Sequence, residues 1–146
     1  MSNGIDTSDL DDFAKDLLKL ASSELPKKSK TFMQKEGNKL KKATLKRAKS
    51  NVIEDTGEYF KGIKRGKVYK YGGKQGNTSI RVYGGYVAHL LEYGHRQVTH
   101  KKQGHKEVGF VPGFHVFEKS AKEFESTFNS DCEEFVENTV IKELSE

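Results

Sequence analysis

The sequence predicts an α+β fold: N-terminal helices, a central antiparallel β-sheet with a hairpin, and a long C-terminal helix packed on it. Three observations predict it. Apolar residues recur at helical spacing in the N-terminal third and again in the C-terminal part. Between them lie short alternating stretches punctuated by glycine pairs, the pattern of strands and turns. At 146 residues the chain has the length of one domain, so 1–146 is taken as a single unit with a modest core.

The first helix starts at Ser8, with Asp9, Asp11 and Asp12 favouring its N-terminus. Leu10, Phe13, Ala14, Leu17, Leu18 and Ala21 then form one apolar stripe, and Pro26 is expected to end or kink the helix. A second helix is expected from about Lys28 to Ile53. Met33, Gly37, Leu40, Thr44 and Ala48 form its weak apolar face, with Lys35, Lys39, Lys42, Lys46 and Lys49 on the other side. Asp55-Thr56-Gly57 is turn chemistry, Gly57 supplying the positive φ that commonly ends a helix.

Strands are expected over Tyr59–Tyr71 and Ser79–Tyr83, joined through the Gly72–Asn77 loop as a hairpin. Gly62 and Gly66 within the first strand imply bulges or a bend. Tyr86–Tyr93 fits either a short helix or a strand. Residues 95–109, with His95, Arg96, His100 and His105 among lysines and glycines, are expected to be a mobile, solvated loop. Phe110 and Val111 are extended because they lead into Pro112. The last helix runs from about Phe114 to Leu144, roughly 45 Å at ~1.5 Å per residue, with Phe117, Ala121, Phe124, Phe128, Cys132 and Phe135 as its buried stripe.

Charge is unevenly placed. Lys27 to Lys49 holds ten basic residues against Glu36 alone, whereas Val116 to Glu146 holds nine acids against three lysines. A single cysteine, Cys132, allows no intrachain disulfide. The N-terminal residues lack a signal-peptide pattern, and no apolar run approaches the ~20 residues that cross a bilayer. The expectation is a soluble protein, cytoplasmic when made.

No chemistry-bearing motif is complete. Zinc needs three or four ligands near 2.0–2.3 Å, while His95, His100 and His105 sit among cations without a fourth ligand, so no metal and no cofactor is expected. The glycine-rich 72–77 loop lacks phosphate-loop spacing and lies between strands. A thiol on a helical stripe such as Cys132 is usually inert. The lysine face is either a solvated helix face or put to one of two uses. It can track a phosphate backbone, making the chain a nucleic-acid-binding module built on the basic helix 27–49, or it can meet an acidic partner helix in the same or a neighbouring subunit.

Three stretches, in order, carry a resemblance. "DTGEYFKGI" (55–63) is similar to an Asp-Thr-Gly-x-Leu-x-x-Ser-Ile signature, "YVAHLLEYGHR" (86–96) to a Tyr-Ala-x-x-x-Glu-x-Gly segment, and "VPGFHVFEKSAKE" (111–123) to a Pro-Gly-x-x-Phe-x-x-x-Ala helix entry. Together they resemble the small tail-completion proteins of long-tailed bacteriophages and prophages, also described as tail terminator, neck or head-tail joining proteins. The chain departs from the pattern at Tyr59, Gly62 and His95. The resemblance implies a structural, non-enzymatic virion protein that acts as a ring, typically sixfold. Its expected partners are further copies of itself, the tail tube protein and the head-side connector or stopper protein. DNA would be met only in passage, and no membrane is involved. The resemblance implies structural roles for Thr56, Gly57, Tyr86, Glu92, Tyr93, Gly94, Pro112, Gly113, Phe117 and Ala121. Under this reading Glu92 is a structural carboxylate near a turn, and the lysine face with the histidine segment forms the assembly surface.

Overall fold

The computed structural model describes residues 8–53, 57–74 and 76–145, and its architecture is α+β as expected. Helix α1 (Ser8–Lys19) continues through one π-helical turn, Leu20–Glu24, into α2 (Leu25–Asn51). The chain therefore stays helical through Pro26, where a helix end or a kink was expected. In the widened turn the Leu25 N–H bonds the Leu20 carbonyl, and this π-turn directly precedes Pro26, whose ring nitrogen has no N–H to give to the turn before it. Gly37, Thr44 and Ala48 are buried on the expected face of α2, and Met33 and Leu40 are half-buried.

Helix α3 (Glu58–Gly62) replaces the start of the expected first strand. Gly57 does take a positive φ, 75°, but it opens α3, while α2 has already ended at Asn51. Tyr59 and Ile63, four residues apart, both turn inward and are almost fully buried. What remains of the predicted hairpin is an interrupted ribbon. Strand β1 (Lys64–Arg65) pairs with β4 (Val82–Tyr83), and β2 (Tyr69–Tyr71) with β3 (Asn77–Ser79), all antiparallel. Gly66 sits at the interruption, donating its N–H to the Arg81 carbonyl at 2.7 Å.

Helix α4 (Ala88–Tyr93) settles the ambiguous 86–93 segment as helical from Ala88. It feeds a second hairpin, β5 (Gly94–Val98) with β6 (Glu107–Pro112). Seven of the fifteen residues expected as a mobile loop, 95–98 and 107–109, are thus strand, and the sheet is split into separate two-stranded ladders. Helix α5 (Val116–Val136) follows, continued by a π-turn (Glu137–Ile141) and α6 (Lys142–Ser145). Helices α2 and α5 run antiparallel. Phe32 stacks on Phe135 at 4.5 Å near one end, and Arg47 pairs with Glu123 near the other.

The core is small: Ala48, Val52, Tyr59, Ile63, Ala88 and Val116, flanked by Leu45, Phe60, Val82, Leu91 and Phe117. It lies where the end of α2 meets α3, α4 and the start of α5. Burying side chains the size of Tyr59, Ile63 and Val116 stabilises by about 1.5–3 kcal/mol each. Elsewhere many large apolar side chains stay exposed, from Leu10 and Leu18 on α1 to Phe110 on β6 and Ile141 beyond α5.

Candidate assembly site

The three quoted stretches converge on this core. The first contributes Tyr59 and Ile63, the second Ala88 and Leu91, the third Val116 and Phe117. Their junction is organised by Glu92. The residue is 5% exposed, and its carboxylate accepts the Phe117 N–H at Oε2 and the Glu118 N–H at Oε1, both at 2.9 Å. Two further amides are used beside it: Phe114 N–H donates to the Leu91 carbonyl at 2.7 Å and His115 N–H to the Glu92 carbonyl at 3.1 Å. The first turn of α5 has no side-chain cap of its own, since His115 precedes it with φ 51°. A negative charge there also meets the positive end of the helix dipole. Glu92 is therefore the N-terminal cap of α5, supplied from another helix.

The flanking glycines make that approach possible. A Cβ on Gly113 would stand 2.1 Å from the Glu92 carbonyl oxygen, and one on Gly94 2.3 Å from that of Val111. Gly94 also has φ 86°, which turns the chain from α4 into β5. Pro112 pairs with Gly94 at the end of the ladder. Tyr86 and Tyr93 remain exposed at this junction, edge-on to His89 and His115 respectively. Thr56 lies outside the described residues. Ala121 corrects the expected stripe: it is exposed, at the rim of an open apolar groove with Met33, Gly37, Leu40 and Ile80. The fully buried residues of α5 are Val116 and Ser120, while Phe117, Phe124, Phe128, Cys132 and Phe135 of the expected stripe are half-buried.

The histidines separate. His95 pairs across the ladder with Val111 and is half-buried, whereas His100 and His105 are exposed around the hairpin tip. Among the described residues no group of three His, Cys, Asp or Glu side chains could hold a metal ion. Arg96 and Phe110 are cross-strand partners on the outward face, with Val98 two residues further on. The tip is tied by reciprocal bonds between Thr99 and Lys106, each 2.9 Å.

The lysines at 35, 39, 42, 46 and 49 are all exposed, but Lys35, Lys39 and Lys46 border α5. Lys39 is committed within the chain, donating to Asp131 at 2.7 Å and lying 3.3 Å from Glu36. The candidate interface thus loses Lys39 as a free cation. The bond to Asp131 raises the Lys39 pKa and holds the Asp131 carboxyl below its usual range. Burial pushes Glu36 upward, its hydrogen bond to Asp131 adding to the effect and Lys39 opposing it. Burial also raises the Cys132 thiol, with Glu36 and Asp131 adding to it, which keeps that sulfur protonated and unreactive.

Glu36, Asp131 and the Arg47–Glu123 pair are the features that sequence reasoning passed over. Glu36 had one signal: it is the lone acid in the basic run and stands beside Gly37 on the apolar side of α2. No helix among the described residues is long and apolar enough to cross a membrane. No protein-family profile, curated protein or solved structure matches the chain.

Proposed function

We propose that this chain is a structural subunit of a phage or prophage neck. As a ring of copies, sixfold by the family pattern, it completes or terminates the tail tube and joins it to the head-side connector or stopper protein. It acts without catalysis, cofactor or metal, in the host cytoplasm during assembly and then in the virion, with DNA passing through the ring. The observation that carries this reading is the convergence of the three family-like stretches on one junction: Glu92 caps α5 while Gly94 and Gly113 admit the backbone contact. That packing supports the scaffold role that the resemblance implies for these residues. A small core with extensive exposed apolar surface also suits a subunit that finishes burying itself by assembly.

Electron microscopy of the chain mixed with its tail tube protein tests the proposal. Rings capping tube ends are the expected result. Bare tube ends, together with salt-sensitive binding to duplex DNA, would replace this reading with the nucleic-acid module built on helix 27–49. Lys39 and Arg47 speak against that alternative, because both are already paired with acids of α5.

A further inference from the structure

Two amphipathic surfaces of the chain lie at opposite ends of α5. The first is α1, none of whose residues is buried. Leu10 and Leu18 are each 68% exposed, and Phe13 and Leu17 are 44% and 43% exposed. Four large apolar side chains on one exposed stripe form a patch of the kind that marks a contact surface. Its four aspartates, Asp9, Asp11, Asp12 and Asp16, against Lys15 and Lys19, leave a net charge of −2 (two positive, four negative).

The second surface is the outward face of the β5–β6 hairpin. Val98, Val108 and Phe110 are exposed there at 53%, 64% and 60%. Arg96, Lys101, Lys102 and Lys106 against Glu107 give residues 94–112 a net charge of +3 (four positive, one negative, histidines neutral). The dimensions also agree: α1 is about 18 Å long at ~1.5 Å per residue, and a five- or six-residue strand spans about 17–20 Å.

These surfaces cannot satisfy each other within one chain. Helix α1 packs beside α6, past the C-terminal end of α5, whereas the hairpin leads into its N-terminal end. The helix between them is about 32 Å long at ~1.5 Å per residue.

We infer that α1 of one copy docks, apolar stripe inward, across the outward face of the β5–β6 hairpin of the next copy. Asp9 and Asp11, which flank the stripe at helical spacing, then lie against Arg96 and the lysines of the hairpin tip. Because the two patches are different and belong to the same chain, the contact is head-to-tail, the kind that closes rings or propagates filaments. The inference rests on the assembly reading above and names the surfaces that carry it.

Charge reversal tests it without touching the core, because every residue changed is exposed. The wild-type chain at high concentration is expected to sediment as an oligomer. The pair Asp9→Lys with Asp11→Lys should lose that species, and so should Lys101→Glu with Lys102→Glu. The four changes combined in one chain should restore it. In a Cys132→Ser background, Leu17→Cys mixed with Val108→Cys should give a disulfide-linked heterodimer, while Ile53→Cys mixed with Val108→Cys should not. A wild-type chain that stays monomeric overturns the inference, as does an oligomer indifferent to both reversals. In the second case, oligomers that still cap tail tubes leave the neck reading standing without this contact. If restoration succeeds but no variant caps tubes, the contact stands and the neck reading falls.

Discussion

Replacing Glu92 removes the cap of α5 and leaves the remainder of the helix unchanged. In Glu92→Ala the amides of Phe117 and Glu118, now bonded at 2.9 Å to the carboxylate, lose their acceptor inside a site that is 5% exposed. Hydrogen bonds to a charged group contribute about 1.5–3 kcal/mol each, and a carboxylate at a helix N-terminus up to ~2 kcal/mol through the dipole. These terms overlap, so the expected loss is about 3–4 kcal/mol, a large part of the ~5–15 kcal/mol that holds a typical domain. At roughly 3 °C per kcal/mol for a chain of this size, the thermal midpoint should fall by about 10 °C. Glu92→Gln keeps one acceptor oxygen but turns an NH2 toward the other amide, and should cost about half as much. Circular dichroism melts and urea titrations measure both, and amide exchange at Phe117 and Glu118 localises the loss. An alanine variant within about 0.5 kcal/mol of wild type, the range of ordinary surface changes, would refute the capping argument.

Three further outcomes are expected. Gly113→Ala should destabilise by more than about 3 kcal/mol, because the new methyl meets backbone at 2.1 Å; Gly104→Ala, with open space but φ 86°, should cost only about 1 kcal/mol, and equal losses would refute the distinction. Asp131 is held low by Lys39, so its contribution is present above the ordinary carboxylate value of 3.8 and is lost as pH falls through the lower folded value. Glu36 is raised, so its contribution runs the other way and is lost as pH rises through the folded value. Urea midpoints from pH 2 to 7 should therefore show Asp131→Asn with a shallower acid limb and Glu36→Gln gaining on wild type as pH rises; parallel curves for all three proteins would contradict both assignments. Limited trypsin digestion should cut first at Lys101, Lys102 or Lys106, where the exposed hairpin tip offers little apolar packing, and first cuts within α2 would refute this.

The sequence by itself determined the elements whose signal is local. The stripes of α1 and α2 and the extent of the C-terminal helix follow from apolar spacing alone, and the 72–77 turn follows from its glycines. Helicity through Pro26 was hidden, because a π-turn leaves no mark in residue spacing. The start at Glu58 was misread because Tyr59 and Ile63 fit a short helix and a bent strand equally well. The β5–β6 pairing was missed because its strands are polar and their register shifts between Gln97 and Val98, which breaks the alternation. Tertiary structure alone decided what Glu92 and Lys39 do. The amides that Glu92 caps lie 25 and 26 residues away in the chain, and Asp131 lies 92 residues from Lys39. Spacing along a chain reports which side chains share one face of one element; which distant group meets that face is decided only when the elements pack.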